Sequence, residues 1–543
     1  MIGYNCKYAP VEILAGFAEK SILINSEAEN FDYSSGKMHA NMCSHAKAML
    51  EEIHRDKIKQ LLFMNCCDSA RRVFDAVNYE DAEFSYCIDL PSCDTGCGVV
   101  KFKDDLIKFI SDYELYSGKK FDVDLFLSSF DSNKEVPKGK FVAILGARSS
   151  KSLIDVCTKC FNGIDIIDMT CANSRNVSPL EVEDNDTLDA IMLKYAKSLF
   201  SQTPCMRMQN IRQREQLAEN ENCVGIIYST VKFCDYYDFE YSKLKNVKTP
   251  IIRVETDFTN QSYGQLLTRI EGFAETISQS SNVKKDRNMS GKYYVGIDSG
   301  STSTELVAVD RDKNIVKRVM VRTGANAASG AKNALEKSQL KREDIAFIVA
   351  TGYGRKNIDF ADDNITEITC HAKGAKHLYN DVRTIIDIGG QDSKVISVDE
   401  NGNVTGFVMN DKCAAGTGRF LENMAKVLEL EMNDMATVGL NYKNDLTISS
   451  MCTVFAESEV VSLIAENHSV ADIVHGLNKS VGTKIKTMYS NAKDKSRVMM
   501  TGGVANNAGV VSELKKQLDT DIFIPDCPEF CGALGAALAG LER

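Results

Sequence analysis

Residues 293–310 read Tyr293-Tyr-Val-Gly-Ile-Asp-Ser-Gly-Ser-Thr-Ser-Thr-Glu-Leu-Val-Ala-Val-Asp310. Two apolar runs flank a turn of small polar residues, which predicts two strands joined by a tight hairpin. The small residues after Asp298 leave backbone N–H groups free to converge on an anion, as a phosphate-binding concavity requires. The turn is not a Walker A loop, because no Gly-Lys-Ser/Thr closes it and no helix follows directly.

The same design recurs 89 positions further along as Ile385-Ile-Asp-Ile-Gly-Gly-Gln-Asp-Ser-Lys-Val-Ile-Ser-Val-Asp399. Asp298 and Asp387 take matching places, each at the end of a strand and before a turn of glycine and serine. A third element, Val498-Met-Met-Thr-Gly-Gly-Val-Ala-Asn-Asn507, predicts a strand, a helix, and between them a Gly-Gly turn that lets backbone approach a base or ribose. Any one turn could be an ordinary hairpin, but together they predict two related lobes around one nucleotide cleft.

In this order, the three elements resemble the phosphate-one, phosphate-two and adenosine elements of the actin, sugar-kinase and heat-shock-chaperone ATPases. The resemblance implies a two-lobed α/β domain that binds ATP, with Mg²⁺ held through Asp298 and water. It also implies that Gln391 orients the attacking water and that Asp387 serves the Mg²⁺ or that water. The residues expected to contact the nucleotide are Gly296, Ser299, Gly300, Ser301, Thr302, Gly389, Gly390, Gly502, Gly503 and Asn506.

Two cysteines of this half stand in helix-start contexts. Cys413 and Cys452 each precede an amphipathic stretch, so each is expected near a helix N-terminus, where the dipole favours a thiolate and an anionic cluster. One chain supplies two such ligands and a cubane takes four, so the economical arrangement is a homodimer that shares one [4Fe–4S] cluster across a two-fold axis. The alternative is that both are small buried side chains, which is common for free cysteine.

The phrases Asp387-Ile-Gly-Gly-Gln-Asp-Ser-Lys394 and Lys412-Cys-Ala-Ala-Gly-Thr-Gly418, with the Cys413 and Cys452 pair, resemble the BadF/BadG/BcrA/BcrD-type ATPases over residues 292–543. These proteins are the activators of 2-hydroxyacyl-CoA dehydratases and the ATPase subunits of benzoyl-CoA reductases. The resemblance implies a cluster at a dimer interface, cluster-bearing helices whose angle changes with ATP binding and hydrolysis, and release of one electron at very low potential. The remaining cysteines here, expected to be structural, are Cys370, Cys527 and Cys531.

Length and composition limit the class of protein to which the chain can belong. A length of 543 residues exceeds one compact core, and 44% hydrophobic with 26% charged residues is typical of folded protein. No run approaches the roughly 18 to 20 apolar residues that cross a bilayer, and the first residues lack a basic signal segment, so we expect a cytoplasmic protein without a membrane partner. A net charge of −11 without a Lys/Arg cluster argues against a nucleic-acid partner.

Eighteen cysteines are many for such a chain, and thirteen of them precede residue 290. Reducing compartments do not use disulfides for stability, so these cysteines indicate metal, redox chemistry or small buried residues. Short apolar runs alternate with helix-like stretches in this half, which predicts α/β lobes with parallel sheets. The predicted domains are 1–278, with a break between two lobes near 131–140, a polar linker at 279–291, and the ATPase domain at 292–543.

Several phrases of the first half resemble one family. Gly3-Tyr-Asn-Cys-Lys-Tyr-Ala-Pro-Val-Glu-Ile-Leu14, Cys67-Asp-Ser-Ala-Arg-Arg72 and Lys232-Phe-Cys-Asp-Tyr-Tyr-Asp-Phe-Glu240 resemble the 2-hydroxyacyl-CoA dehydratase subunit family, which includes the benzoyl-CoA reductase B and C subunits and the double-cubane cluster proteins. The similarity spans about residues 1–278. Neither a ferredoxin-type array of Cys-x2-Cys pairs nor a His-Glu-x-x-His zinc motif is present in the sequence.

The family's subunits typically hold a cubane on three cysteines. Cys67, Cys171 and Cys234 each follow an apolar run closely and so fall at strand ends, where open α/β sheets collect ligands; the resemblance makes them the first choice for a [4Fe–4S] cluster. Adding Cys6, Cys43 and Cys205 gives six ligands, the number that a double-cubane [8Fe–9S] centre takes. The other cysteines, expected to be structural, are Cys66, Cys87, Cys93, Cys97, Cys157, Cys160 and Cys223.

These inferences combine into one functional hypothesis. The chain fuses an ATP-driven electron donor with its own iron–sulfur acceptor, is reduced by ferredoxin or flavodoxin, and acts on an acyl-CoA or another small molecule. True dehydratases pair two different subunits, so the single dehydratase-like module favours a double-cubane-type reductase or a separate partner subunit. The alternatives are a non-catalytic iron–sulfur carrier or chaperone-like ATPase and, less favoured, a small-molecule kinase, which would need an acceptor site and a catalytic base.

Overall fold

The computed structural model describes residues 1–78, 82–130, 138–203, 205–208, 211–244, 247–259, 263–277, 290–410, 414–448 and 453–543. The chain divides into two compact units, Met1–Ile270 and Glu271–Arg543. The predicted break between the lobes of the first half falls largely outside the described residues, as does most of the predicted linker. Within the described part of the chain, no helix is both long and apolar enough to cross a membrane.

The first unit contains two four-stranded sheets with the same strand order. One runs β2-β1-β3-β4 and the other β6-β5-β7-β8, and all neighbouring strands are parallel. The strands are β1 Ile2–Tyr4, β2 Ser21–Leu23, β3 Gln60–Asn65, β4 Phe84–Asp89, β5 Phe141–Gly146, β6 Asp165–Asp168, β7 Cys223–Val231 and β8 Ile251–Thr256. The helices are α1 Val11–Gly16, α2 Asp32–Ser35, α3 Ser44–Arg55, α4 Asp68–Asn78, α5 Cys97–Ser117, α6 Val123–Ser128, α7 Lys151–Cys160, α8 Leu188–Ser201, α9 Arg212–Ala218, α10 Asp235–Leu244 and α11 Tyr263–Ile277.

The burial of the central strands is typical of parallel sheets that are covered by helices on both faces. The side chains at 61–64 of β3 and at 141–145 of β5 are apolar and fully buried. A strand that is apolar on both faces needs cover on both faces, which crossover helices of parallel α/β folds provide. The predicted α/β lobes with parallel sheets are therefore confirmed.

The second unit contains two five-stranded sheets that are also built alike. Their orders are β11-β10-β9-β12-β13 and β16-β15-β14-β17-β18; in each, the first three strands are antiparallel and the last two join in parallel. The strands are β9 Tyr293–Ser299, β10 Ser303–Val309, β11 Ile315–Arg322, β12 Ile345–Thr351, β13 Asp363–Asn364, β14 Thr384–Ile388, β15 Ser393–Val398, β16 Val404–Asn410, β17 Val498–Thr501 and β18 Ile522–Phe523. The helices are α12 Ala327–Ser338, α13 Glu367–Leu378, α14 Gly418–Val427, α15 Met432–Met435, α16 Thr453–Ala465, α17 Val470–Tyr489, α18 Ala508–Leu518 and α19 Cys531–Glu542.

The register of strand pairing shows that the two sheets of the second unit are equivalent. Asp298 pairs with Glu305 across the first hairpin and Asp387 pairs with Lys394 across the second, so both hairpins have the same register. Each aspartate is also paired with a threonine of the adjacent parallel strand. The second unit is therefore the two-lobed, actin-like α/β domain that the sequence predicted.

Candidate functional site

Two hairpin turns carry the residues predicted to bind phosphate. The Gly300 N–H donates to the Ser303 carbonyl at 3.0 Å, and the Gly389 N–H donates to the Asp392 carbonyl at 3.0 Å. The two donors are 89 positions apart in the sequence, and so are the two acceptors. The two turns are therefore closed by equivalent hydrogen bonds. The exposed residues of the turns are Ser301, Thr302 and Gln391.

The two turns face each other. A methyl group at Gly390 would lie 2.6 Å from Thr302 Oγ1, so a side chain there would meet the opposite turn. Ser299, in contrast, is fully buried, and its carbonyl accepts a hydrogen bond from the Gly354 N–H at 3.0 Å. The cleft is thus bordered by the tips of the turns, while Ser299 anchors the first turn from behind.

Each aspartate is approached by a glycine whose backbone is left-handed. Gly352 follows β12 and Gly502 follows β17, both with a φ of 82°. A Cβ at Gly352 would lie 2.4 Å from Asp298 Oδ1, and one at Gly502 would lie 2.9 Å from Asp387 Oδ1, so only glycine fits. Gly502 was predicted from the sequence and Gly352 was not, although a Thr-Gly step after a buried strand marks both positions.

His371 of α13 stands between the two aspartates. Its Nε2 is 3.9 Å from Asp298 Oδ2, and its Nδ1 is 3.5 Å from Asp387 Oδ1. The Thr501 hydroxyl donates to Asp387 Oδ1 at 2.9 Å. Burial lowers the pKa of His371. His371 therefore lies within reach of both aspartates and is itself held in a buried site.

A buried lysine compensates the second lobe's carboxylates. Lys394 Nζ lies 2.7 Å from Asp392 Oδ2 and 3.3 Å from both Asp387 Oδ2 and Glu367 Oε2. Burial acts to lower the pKa of Lys394, but the three carboxylates raise it well above its usual value. Burial acts to raise the pKa of Asp387, but His371 and Lys394 bring it below its usual value. Asp387 is therefore ionised at neutral pH.

Asp298 has a different environment from Asp387. Burial, followed by the charge of Glu305, raises its pKa to about 8. Among the described residues, Asp298 forms no ion pair with a lysine or arginine. A buried carboxylate without such a partner suits a hard divalent cation, since Mg²⁺ prefers carboxylate and water oxygens. The chemistry of Asp298 is therefore compatible with the Mg²⁺ that the sequence predicts there.

Three predicted nucleotide contacts, Gly296, Gly503 and Asn506, lie outside the two hairpin turns. Gly296 lies inside β9, where a Cβ would be 2.0 Å from the Ala533 carbonyl oxygen, so packing against α19 explains this glycine instead of nucleotide contact. Gly503 and Asn506 are exposed after β17, and the Asn506 amide donates to Glu529 Oε2 at 3.3 Å. Both remain predicted nucleotide contacts.

In the first unit, cysteines gather where the strand order reverses. The reversals lie between β1 and β3 and between β5 and β7, and open α/β sheets bind ligands beyond the carboxyl ends of such strands. Cys6 follows β1, and Cys66 and Cys67 follow β3. Arg148 follows β5 and Cys234 follows β7. The structure therefore places predicted ligands at the reversal point of both sheets.

The thiols of this region contact one another. Cys66 hydrogen-bonds both Cys6 and Cys67, which lowers the pKa of Cys6 to about 6 and also lowers the pKa of Cys67. A hydrogen bond with Cys234 lowers the pKa of Cys43 to about 7. The same contacts raise the pKa of Cys66 and of Cys234 well above the usual value, so each contact favours the thiolate, the form that binds iron, on one side and the thiol on the other.

Cys171 and Cys205 complete the predicted six. Burial raises the pKa of both thiols, that of Cys205 to about 12, and both thiols lie close enough to influence Cys6 or each other electrostatically. Thiol–thiol contacts join Cys66 to Cys6 and Cys67, and Cys43 to Cys234, while the described residues contain no group of three or more His, Cys, Asp or Glu in a metal-binding arrangement. A set of soft thiolate donors fits iron–sulfur chemistry.

Cys66 was missed by the sequence analysis, which treated it as structural. Its thiol contacts both Cys6 and Cys67, so it belongs to the cysteine cluster. The cluster is defined here as Cys6, Cys43, Cys66, Cys67, Cys171, Cys205 and Cys234. The signal that was available is the tandem Cys66-Cys67 directly after a buried strand.

The two cysteines predicted to share a cluster between subunits, Cys413 and Cys452, lie outside the described residues. The helices that follow them are described. Helix α14 begins at Gly418, five positions after Cys413, and α16 begins at Thr453, next to Cys452 in the chain. Their ligand roles stay predictions.

Comparison with known proteins finds a matching family for each half of the chain. Residues 295–540 match the family model of the BadF/BadG/BcrA/BcrD ATPase family, and residues 6–138 and 142–277 match that of the 2-hydroxyglutaryl-CoA dehydratase D-component. The chain is 44% identical to the 2-hydroxyisocaproyl-CoA dehydratase activator of Clostridioides difficile over 46% of this chain and 96% of that protein. It is 48% identical to the activator of lactoyl-CoA dehydratase of Anaerotignum propionicum over 46% of this chain and 98% of that protein.

Among solved structures, the Clostridium difficile activator of the 2-hydroxyisocaproyl-CoA dehydratase with bound ADPNP matches 46% of this chain and 94% of its own chain, at 44% identity and a TM-score of 0.45. The two family models together extend over nearly the whole chain. On these matches, the chain belongs to the BadF/BadG/BcrA/BcrD ATPase family and carries a 2-hydroxyglutaryl-CoA dehydratase D-component region ahead of its ATPase domain.

Proposed function

We propose that this chain is an ATP-dependent electron-transfer enzyme that delivers single low-potential electrons to an iron–sulfur centre in its own first unit. The observation that carries the proposal is a group of seven buried or half-buried cysteines in a dehydratase-like unit, four of which follow strands at the strand-order reversals, in the same chain as an ATPase. The cysteine cluster would hold the acceptor centre, a [4Fe–4S] or a double-cubane [8Fe–9S] cluster. Cys413 and Cys452 of two subunits would hold a second [4Fe–4S] cluster, which supplies the electron.

Backbone contacts support a link between nucleotide and Cys413. The Gly418 N–H donates to the Gly389 carbonyl at 2.9 Å, and the Arg419 N–H donates to the Gly390 carbonyl at 2.8 Å. The Ser393 hydroxyl donates to the Gly416 carbonyl at 2.5 Å. These bonds attach the start of α14 to the second phosphate turn. A shift of this turn with ATP binding or hydrolysis would therefore move the segment that follows Cys413.

Helix α16 supports the proposed homodimer. Val454 and Phe455 are each 68% exposed and Val461 is 54% exposed, on the helix that starts directly after Cys452. Large apolar side chains grouped on one exposed helix mark association surfaces. The proposed occupant is the same helix of a second subunit, because a shared cluster would bring the Cys452 regions of both subunits together.

Phe455→Asp is expected to prevent the homodimer, because it would place a charge in the apolar contact. Multi-angle light scattering of anaerobic, iron-loaded protein should show a monomer. The matched control is Met320→Asp on β11, a methionine that is 53% exposed on the other lobe, and it should leave the dimer intact. A Phe455→Asp protein that stays dimeric would contradict the proposed interface.

Cys67→Ser is expected to lower the iron content of the first unit, because it removes a predicted ligand that also contacts Cys66. Iron and sulfide analysis after anaerobic reconstitution measures this loss. Cys93→Ser is the control, since Cys93 is exposed and its thiol donates only to the nearby Thr95 carbonyl among the described residues. Equal iron in the two variants would remove Cys67 from the ligand set.

The direct test of function is ATP-dependent reduction. Reduced ferredoxin or flavodoxin is supplied to reconstituted protein, and electron paramagnetic resonance follows the acceptor centre with ATP, with ADP and without nucleotide. We expect the acceptor to become reduced only with ATP. Transfer of intact cluster to apo-proteins without ATP-coupled reduction would instead identify an iron–sulfur carrier.

The terminal reaction is proposed at the level of substrate class. Relatives of this chain are named activators of dehydratases that act on 2-hydroxyacyl-CoA thioesters. The acceptor centre would reduce either such a thioester or another small molecule, alone or with a separate dehydratase subunit. The proposed location is the cytoplasm, where reduced ferredoxin or flavodoxin is available.

A further inference from the structure

Two buried cations border the cysteine cluster. Lys7, next to Cys6 in the chain, is 1% exposed and donates to Ser174 Oγ at 2.9 Å and to the Thr203 carbonyl. Its acceptors belong to the segments that carry Cys171 and Cys205, because Ser174 lies three positions after Cys171 and Thr203 two positions before Cys205. Lys7 therefore lies beside these segments and next to Cys6.

Arg148 is the second buried cation near the cluster. It follows β5 at the strand-order reversal of the second sheet and is 7% exposed. Its guanidinium donates to the Asn5 carbonyl and, at 3.2 Å, to Asn25 Oδ1. Its charge acts on four cluster thiols, which are Cys6, Cys43, Cys67 and Cys171.

Neither cation forms an ion pair with a carboxylate in the described part of the chain, and all their hydrogen-bond acceptors there are neutral. Two other cations of the same unit do have such partners. The buried Arg214 lies 2.7 Å from Glu240, and the partly buried Arg175 lies 2.5 Å from Glu12. A buried charge without a counter-ion is strongly unfavourable, so the counter-charge of Lys7 and Arg148 has to come from something else.

The cysteine cluster supplies that counter-charge once its thiols are ionised and hold iron. An iron–sulfur centre with thiolate ligands is anionic, and its reduction potential depends on net charge, hydrogen bonds and solvent exposure around it. A fixed positive charge beside such a centre favours the reduced form, because reduction adds one negative charge. Both cations are buried and are held by chain segments that carry cluster cysteines, where a low local dielectric makes this effect large.

We infer that Lys7 and Arg148 are the counter-cations of the iron–sulfur centre in the first unit and that they set its reduction potential. The inference rests on the proposed function in one respect, that the cysteine cluster holds an iron–sulfur centre. It assigns no ligand role to either residue. Their role is to raise the potential of the acceptor centre and thereby favour arrival of the electron.

The test uses the full chain with Cys413→Ala and Cys452→Ala, so that iron reports the first unit alone. Lys7→Met and Arg148→Met remove each charge, and Lys7→Arg and Arg148→Lys retain it. Lys103→Met is the control, because Lys103 is paired with Asp104 and Asp189 and no cluster thiol is among its partners. Each protein is reconstituted anaerobically, analysed for iron and sulfide, and titrated with dithionite at one pH and ionic strength under electron paramagnetic resonance.

The charge-removing variants are expected to shift the reduction equilibrium at least tenfold toward the oxidised form, which is about 59 mV more negative for one electron. The charge-retaining variants and the control should stay close to the parent protein. Melting temperatures give a second measurement: reconstitution should stabilise the parent more than it stabilises Lys7→Met or Arg148→Met.

The outcomes separate this inference from the proposed function. Iron-loaded Lys7→Met and Arg148→Met proteins with the parent's potential would overturn the inference and leave the proposed function standing. A parent protein that binds no iron in the first unit would overturn both. Loss of iron from the charge-removing variants alone would support the inference, whereas equal loss from the charge-retaining variants would show that side-chain shape, not charge, matters.

Discussion

Replacement of Cys413 by alanine is expected to remove about four iron atoms per dimer while the first unit keeps its iron, because a shared cubane that loses one ligand from each subunit keeps only two thiolates. ATP-dependent reduction of the acceptor centre should then fall at least about tenfold, since the electron donor is lost. ATP hydrolysis should persist, because the nucleotide cleft is formed by other residues. Iron analysis, electron paramagnetic resonance and phosphate release measure the three effects on the same preparation.

The matched control for this experiment is Cys527→Ala. Cys527 belongs to the same unit, is partly buried, and its sulfur lies 3.8 Å from an Arg318 nitrogen. It is expected to be structural, so its replacement should leave iron content and ATP-dependent reduction unchanged. Unchanged iron in the Cys413→Ala protein would remove Cys413 from the ligand set, and with it the proposed donor cluster.

Replacement of Asp387 by asparagine is expected to lower the rate of ATP hydrolysis by about 100-fold or more, the scale typical for loss of a group that positions water, metal or a proton. Asp387 is held in place by Thr501, His371 and Lys394, so its carboxylate is ionised and fixed in direction. Asparagine keeps the size of the side chain and removes the charge. Steady-state phosphate release under saturating Mg²⁺ and ATP provides the rate.

Asp310→Asn is the control for Asp387→Asn, because it removes a carboxylate that lies outside the nucleotide cleft. Asp310 lies after β10, where its carboxylate accepts the backbone N–H groups of Asp312 and Asn314 at 2.9 Å each in an exposed turn. An asparagine there can still accept these bonds, so the rate should match that of the unchanged protein. If Asp387→Asn hydrolyses ATP as fast as Asp310→Asn, the proposed role of Asp387 is wrong.

Local sequence patterns were sufficient to predict most of the fold. The hairpins at Asp298 and Asp387 and the α/β alternation of the first half follow from apolar runs, glycine turns and helical periodicity, which are local signals. The repeat of one design 89 positions apart also predicted the duplicated lobes. The identical strand order of the two sheets in the first unit was not predicted, because strand order depends on contacts between residues far apart in the chain.

The candidate sites were predicted less completely. Cys66 was set aside as structural, because neighbouring cysteines in a chain do not reveal which of their thiols converge with Cys6. His371 lies in a helix whose sequence pattern suggests only packing, and its position between two aspartates arises from the meeting of two lobes. Gly352 was missed because the aspartate that it approaches, Asp298, lies on the neighbouring strand of the same sheet, and strand pairing is not visible in a local stretch of sequence.

What this sequence determined by itself is the kind of chemistry: paired phosphate-binding turns, cysteines at strand ends and the two families that its motifs resemble. Motifs carry this information because each phosphate turn or ligand-bearing loop is specified by a few consecutive residues. Only the tertiary structure decided which thiols meet, and that Lys7 and Arg148 lie buried beside them without carboxylate partners in the described residues. Electrostatic energy depends on distances in space and on burial, and neither quantity is written in the order of residues along a chain.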